Sequence, residues 1–475
     1  MKIRGDMVRC SDSLEAALTL EKPRSSNTFT QRDSKGSLPH RETAGRSLRS
    51  NLVWTAFGNA TYAFCQWATL VVLAKVSSVE SVGEFALGVA IAAPIFTFAN
   101  LQLRSVQATD SLHQNSFGHY LGLRLTSTPI ALCLIVSILF LANYSMVTAS
   151  VVLMVAIGRA IESISDVIYG ELQCRERLDW IACSMILKSV LSVVTIAGTV
   201  AMTGSLIAGL SAMCGVWLAI LALYDLPRVM LLLNQPDCGL LSANGRPQSF
   251  GWTKVLPSFD IVRISKLFAL ALPLGFVMML SSLNAHIPRY FIEQRFGRAE
   301  LGIYASISAI FSGLYFFQIA LGHAVLPRLA RHYASGERRD YLKFVGVVLA
   351  FGMANGLLAI LVAKFGGGDL LRSLFSDEFA HADSLFLWLA VASIAQCLNG
   401  ALAYFLHAAR QFKQTAWATA ISTFAIFGCS AAFIPRWGVV GGAYAILAGS
   451  LLSIAVLSVQ FAFLMRTFKE DRNAI

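Results

Sequence analysis

From about residue 51 onward the chain is a succession of apolar runs, each about twenty residues long and separated by short polar stretches, the length an α-helix needs to cross a bilayer. Helical spans are predicted near residues 52–75, 84–104, 120–142, 147–169, 181–202, 205–224, 267–292, 301–324, 344–365, 383–406, 415–434 and 438–464. Stretches such as "SVVTIAGTVAM" and "LLSIAVLSVQFAFLM" are apolar all round, without the alternation of a membrane-barrel strand, so the fold class is all-α integral membrane with about twelve transmembrane helices. The longest connection, 225–266, is marked by Pro, Gly and Asn and divides the spans six and six. Residues 1–50 are rich in Ser, Arg, Lys, Thr and Glu, lack a signal-peptide pattern and read as a disordered tail.

Charge adds orientation. Of the 38 Lys and Arg residues, most lie in connections such as "QCRERLDW", "LPRLARHYASGERRDYLK" and "HAARQFKQ", or in the two tails. Basic loops stay on the cytoplasmic side, so both termini are expected there. The predicted organisation is a cytoplasmic N-terminal tail (1–50), an N-terminal six-helix lobe (51–224), a cytoplasmic linker (225–266), a C-terminal six-helix lobe (267–465) and a cytoplasmic tail (466–475). A net charge of +11 without a basic stretch interleaved by aromatics argues against nucleic acid as a partner. The nine cysteines are scattered, with no C-x-x-C pair, which argues against a disulfide framework or a zinc site.

The two halves echo one another. "SVESVGEFALGVAI" after span 1 resembles "GRAELGIYASISAI" after span 7, aligning Gly83, Phe85 and Ala86 with Gly302, Tyr304 and Ala305, and "GVVGGAYAILAG" before span 12 is a third echo. "YGELQCRER" after span 4 likewise aligns with "YFLHAARQF" after span 10. Six spans is an even number, so both halves enter the membrane in the same direction, as a parallel repeat about an axis along the membrane normal.

Within these spans a few polar residues stand out. Arg159, Glu162, Asp166, Tyr169 and Gln173 are spaced three or four apart and fall on one helical stripe. A charge at mid-helix costs about 2.5 to 3.5 kcal/mol on insertion scales, so the stripe must face protein or a watery cavity. Cavity lining and internal pairing of Arg159 with Glu162 both satisfy that requirement. Arg104, Gln107 and Asp110 share a face at the end of span 2, where Arg104 also suits an interfacial anchor. Span 7 carries Asn284, His286 and Arg289 around Pro288, with Pro273 further in, and the prolines predict a bend, either a moving joint or a static kink. Pro94 and Pro129 predict similar bends in spans 2 and 3. Span 1 has Asn59, Thr61, Tyr62 and Gln66 but no acid. No phosphate loop, nucleophile elbow or paired histidine motif occurs, so the chain reads as a non-enzyme without cofactor or metal.

The stretches "LAKVSSVESVGEFALGVAIAAP", "LQLRSVQATD", "SISDVIYGELQCRERLDWIACS", "IPRYFIEQRFGRAELGIYA" and "LPRLARHYASG" carry a likeness that runs in order from about residue 50 to the end. The chain resembles the polysaccharide transporters, including the O-antigen and exopolysaccharide repeat-unit flippases, of the multidrug/oligosaccharidyl-lipid/polysaccharide flippase superfamily. The resemblance implies two six-helix lobes around a cavity that opens alternately to each side of the bacterial inner membrane. The implied cargo is a lipid-linked oligosaccharide on polyprenyl pyrophosphate, with membrane lipids and a glycan polymerase or export machinery as further partners. An anionic pyrophosphate and a polar sugar need a cavity that replaces their water, and Arg suits phosphate oxygens. Candidate substrate-binding residues are therefore Arg159, Arg104, Arg289, Asn284, Gln107 and Tyr169; candidate ion-coupling groups are Glu162, Asp166 and His286. The alternatives are a cation-coupled multidrug exporter of the same superfamily, which should carry a buried acid on span 1, and a membrane glycan polymerase or ligase, which should carry a large external loop.

Overall fold

The computed structural model describes residues 48–110, 114–234, 255–379 and 381–470. The predicted tails, apart from residues at their inner edges, and the middle of the predicted linker lie outside these residues. Among the described residues the regular structure is all helical: α1 (Leu48–Val76), α2 (Val79–Ala99), α3 (Leu103–Thr109), α4 (Phe117–Leu141), α5 (Met146–Cys174), α6 (Leu178–Thr203), α7 (Leu206–Ile220), a π-helical turn (Leu221–Asp225), α8 (Leu226–Leu233), α9 (Ile261–Ala334), α10 (Arg338–Leu374), a 3-10 turn (Asp377–Phe379), α11 (Asp383–Ala408), α12 (Phe412–Trp437) and α13 (Val440–Glu470). Ten described stretches are long and apolar enough to cross a membrane, and the chain is a multi-pass membrane protein. α1 is as long as these but is not among them; Asn59, Thr61, Tyr62 and Gln66 make it more polar.

Local chemistry sets the helix ends. Ser78, Ser145 and Ser205 cap α2, α5 and α7 by accepting from backbone N–H groups three residues on, and Asp260 caps α9 by accepting from Val262 and Arg263. The predicted second span is divided: α2 ends at Ala99, Leu101 and Gln102 adopt left-handed backbone conformations, and α3 restarts at Leu103. The sixth span does not stop at 224. It passes through the π turn and continues to Leu233, so the start of the predicted linker is helical.

The seventh and eighth spans form the two arms of α9. The helix continues through Pro273 and Pro288, and the reversal between the two spans falls at Gly297, in the predicted gap between 292 and 301, where φ is 84° and ψ is −171°. That conformation is open to glycine and strained for any residue with a Cβ, which lets a single residue make the turn.

Counting the arms of α9 as spans seven and eight, the packing repeats between the halves. The first span packs on the fifth, the third on the fourth, the fourth on the sixth and the fifth on the sixth; the seventh packs on the eleventh, the ninth on the tenth, the tenth on the twelfth and the eleventh on the twelfth. Phe291 against Phe427 marks the seventh–eleventh contact, and Phe311 against Phe386 joins the eighth span to the tenth, as α2 joins α5. The halves meet along α2 and the first arm of α9, from Gly275 beside Leu101, through the Tyr290 hydroxyl bonded to the Ala90 carbonyl, to Gly83 beside Arg298.

At that last point the sequence repeat becomes physical. A Cβ on Gly83 would lie 1.8 Å from the Arg298 carbonyl oxygen, and one on Gly302 would lie 2.4 Å from the Val79 carbonyl and 3.0 Å from the Gly83 nitrogen. Gly83 and Gly302 are repeat-equivalent positions, and equivalent positions touch where they lie near the axis relating the halves. Glu84 pairs with Arg298 at 3.0 Å and the Tyr144 hydroxyl donates to Glu293 at 3.3 Å, so the same end of the bundle is clamped by polar contacts. Gly83→Val is expected to force these backbones apart and cost about 1 to 3 kcal/mol, the usual range for overpacking. Thermal unfolding of the purified variant measures it, and a wild-type midpoint would show that the halves part without penalty.

Candidate functional site

The polar stripe on α5 is present and meets partners from several helices. The Arg159 guanidinium donates to Glu162 Oε2 at 2.7 Å, and Tyr62 of α1 donates to Glu162 Oε1 at 2.8 Å. Arg159 and Glu162 are about one-quarter exposed, so the pair borders open space rather than being sealed. That space is a cavity lined by Tyr62, Gln66 and Thr69 of α1, Arg159 of α5, Ser192 of α6 and Trp217 of α7. One turn further along the stripe, Asp166 accepts from Arg124 of α4 at 3.1 Å. Arg124 is fully buried and also donates to the Asn100 side chain at the break between α2 and α3, where the Ser163 hydroxyl donates at 2.7 Å. Asn100 thus ties the interrupted helix to α4 and α5.

The last part of the stripe faces the interior of the first half. Tyr169 is buried and its hydroxyl contacts Ser184 at 2.7 Å and the Lys188 ammonium at 3.2 Å. Lys188 pairs with Asp225 at 2.8 Å and donates to Ser165 at 2.5 Å, while Ser184 donates to Asp225 at 2.6 Å. Both charges are almost wholly buried, and the pair joins α5, α6 and the π turn.

Arg104 donates to Gln173 at 3.0 Å and lies 5.7 Å from the Tyr169 ring centre. Gln107 is buried, donates to Glu171 at 3.0 Å and packs against Gly170. These two candidates therefore hold α3 on α5.

The candidates on α9 sit differently. Among the described residues Arg289 reaches only Ser308, at 3.4 Å, and its buried Nε has no hydrogen-bond partner. Buried Asn284 Oδ1 and His286 Nδ1 are also unpartnered, and His286 lies within electrostatic reach of both Arg289 and Arg159. His286 thus lies between a guanidinium of the first arm of α9 and one of α5, while the cavity beside Arg159 is lined by residues of the first half. Arg124, Arg159, Lys188 and Arg298 each have a carboxylate. Among the described residues Arg289 has none.

Arg124, Lys188 and Asp225 were not among the sequence candidates. A signal existed for the first two, each a single cation inside an apolar run; Asp225 was read as the first residue of the linker.

No protein-family model matches the chain. It is 24% identical over 404 residues, 85% of its own length and 96% of the relative's, to a capsular polysaccharide biosynthesis protein, CapF, of Staphylococcus aureus. Among solved structures it is similar to lipid II flippase MurJ in an inward closed conformation, with TM-score 0.67 and 13% identity over 86% of this chain and 87% of that one. The chain has the fold of the MOP-superfamily transporters. A multidrug resistance MATE family transporter of that superfamily, in an inward-facing conformation, gives TM-score 0.62 and 13% identity over 88% of this chain and 96% of its own. The family resemblance and the all-helical fold class read from the sequence are borne out, and the neighbours are named as a flippase and a transporter rather than as enzymes.

Proposed function

We propose that the chain is a flippase that carries an oligosaccharide repeat unit, linked through pyrophosphate to a polyprenol, from the cytoplasmic to the external leaflet of a bacterial inner membrane by alternating access, for capsule, O-antigen or exopolysaccharide assembly. The names of CapF and MurJ support a lipid-linked glycan as cargo. The observation that carries the reading is Arg289, a guanidinium on a membrane-spanning helix with no carboxylate partner among the described residues. An unpaired cation in that setting is costly, and an anionic ligand is the natural compensation. Its planar fork suits two phosphate oxygens, and Asn284 on the same arm of α9 and Arg159 on α5 are further donors.

Arg159 is engaged by Glu162 and Tyr62 in this state, so a pyrophosphate arriving there competes with Glu162 for the guanidinium. That exchange makes Glu162 the leading candidate for ion coupling, with Asp166 and His286 beside it. With both termini cytoplasmic, the Gly83–Gly302 contact and the Glu84–Arg298 pair lie at the external end, and the headgroup enters from the cytoplasmic end. Outward movement of an anion across an inside-negative membrane gains about 2.3 kcal/mol per charge per 100 mV, which biases the cycle without ATP. The drug-exporter alternative lacks its buried acid, since α1 contains none.

Reconstitution tests the reading. In liposomes carrying a polyprenyl-pyrophosphate oligosaccharide in both leaflets, the purified chain should make the inner-leaflet glycan accessible to an externally added glycosidase. An inner pool that stays protected with and without membrane potential refutes it. Arg159→Ala should insert normally yet fail to complement a flippase-deficient strain, and full complementation would remove Arg159 from an essential role.

A further inference from the structure

Away from the proposed pathway, at the end of the bundle that holds the α5–α6 turn, two guanidiniums stack on aromatic rings. The Arg177 guanidinium carbon lies 3.7 Å from the Trp180 ring centre, and that of Arg228 lies 3.3 Å from the Tyr224 ring centre and 5.4 Å from that of Trp180. Arg177 is neutralised by Asp179, at 3.2 Å. Arg228 has no carboxylate among the described residues. The acid three residues before it, Asp225, is at the spacing where a regular helix would bring the two side chains onto one face. Asp225 instead terminates the π turn, is fully buried and is spent on Lys188 and Ser184. The π turn thus separates an acid directed into the bundle from a cation left at its periphery.

The periphery here is membrane-facing. Leu223, five residues before Arg228 and so deeper in the span, is 80% exposed, and an exposed leucine there on a spanning helix is covered by acyl chains. Trp and Tyr with Arg at the end of a spanning helix mark the depth of lipid headgroups. A guanidinium lying flat on a ring keeps its edge free, and the edge is the part that donates to phosphate oxygens.

We propose that Arg228, held by Tyr224 and Trp180 and flanked by Arg177, is a binding site for the phosphodiester headgroup of an anionic diacyl phospholipid of the surrounding leaflet. The ligand is a resident lipid rather than cargo, and the site is independent of the proposed transport activity. Leu223 borders its acyl chains, deeper in the span, while Arg228 holds its phosphate. The lipid thereby supplies the counter-charge that the π turn withholds.

The test is lipid retention by the full chain. Protein is purified from nanodiscs of phosphatidylglycerol and phosphatidylcholine, and bound lipid is counted by native mass spectrometry. Wild type should retain phosphatidylglycerol selectively, and Arg228→Ala should lower that retention about fivefold, the effect of one basic residue at an anionic surface. Arg228→Lys should fall between them, because charge persists without the stacked fork. Thermal unfolding in phosphatidylcholine alone checks that the variants are folded; if Arg228→Ala is not, Arg228→Gln is judged by the same readout. Unchanged selectivity in the folded Ala or Gln variant overturns the proposal. So does equal retention of both lipids by wild type, or displacement of phosphatidylglycerol by millimolar inorganic phosphate, which would make the site one for a free anion.

Discussion

Replacing Arg289 by Leu is expected to cut transport at least about tenfold and, at the same time, to raise the thermal stability of the purified protein. The two effects have one cause. Arg289 holds a positive charge among membrane-spanning helices with a single long hydrogen bond to Ser308 and an unpartnered Nε, so its desolvation is not repaid within the described fold. An apolar side chain removes that cost, and a shift upward of a few degrees in the unfolding midpoint should follow. Transport loses the charge-assisted hydrogen bonds to pyrophosphate, at about 1.5 to 3 kcal/mol each, which amounts to a loss of about ten- to a hundredfold or more. Arg289→Lys keeps the charge without the fork and should retain part of the activity. A stabilised Leu variant that still transports would show that the unpaired cation has no anionic ligand.

The opposite behaviour is expected at Lys188 and Asp225. Either Lys188→Met or Asp225→Leu alone leaves one almost fully buried charge unpaired and should cost about 3 to 5 kcal/mol, enough to reduce the yield of folded protein sharply. The double variant removes both charges together and should recover most of that loss, apart from what Ser165, Ser184 and Tyr169 forfeit as their shared partner disappears. Unfolding free energies of the four proteins give the coupling energy. Additive losses in the double variant would contradict a coupled buried pair.

These two sites also mark how far the sequence could be read. The spans were legible because apolar runs of bilayer length have few alternative uses, and their order matches the helices from Leu48 to Glu470. The repeat was legible at Gly83 and Gly302 because two backbones in contact leave no room for a Cβ. Proline signals a weakened ladder, yet Pro273 and Pro288 stay within helix, while the reversal between the seventh and eighth spans falls at Gly297, in the gap between the predicted spans 267–292 and 301–324. The stripe from Arg159 to Gln173 followed from helical spacing alone. Which members face open space did not, since that depends on Tyr62, Arg124 and Lys188 arriving from other helices. Tyr169 and Gln107 share residue types and spacing with cavity-lining groups, yet their atoms are taken up inside the first half. Asp225 was hidden because a helix running on through a π turn looks, in sequence, like the start of a linker.

The central claim is that a water-filled, positively charged space between the halves admits a phosphorylated headgroup. It is tested by placing single cysteines at Ser308, beside Arg289, and at Asn284, earlier on the same arm of α9, in a background from which the nine native cysteines have been removed. A membrane-impermeant thiol reagent should modify both positions in reconstituted protein, and a polyprenyl-pyrophosphate oligosaccharide should slow both reactions. If both thiols remain unmodified from either side of the membrane, with and without that ligand, the space is sealed and the account is contradicted.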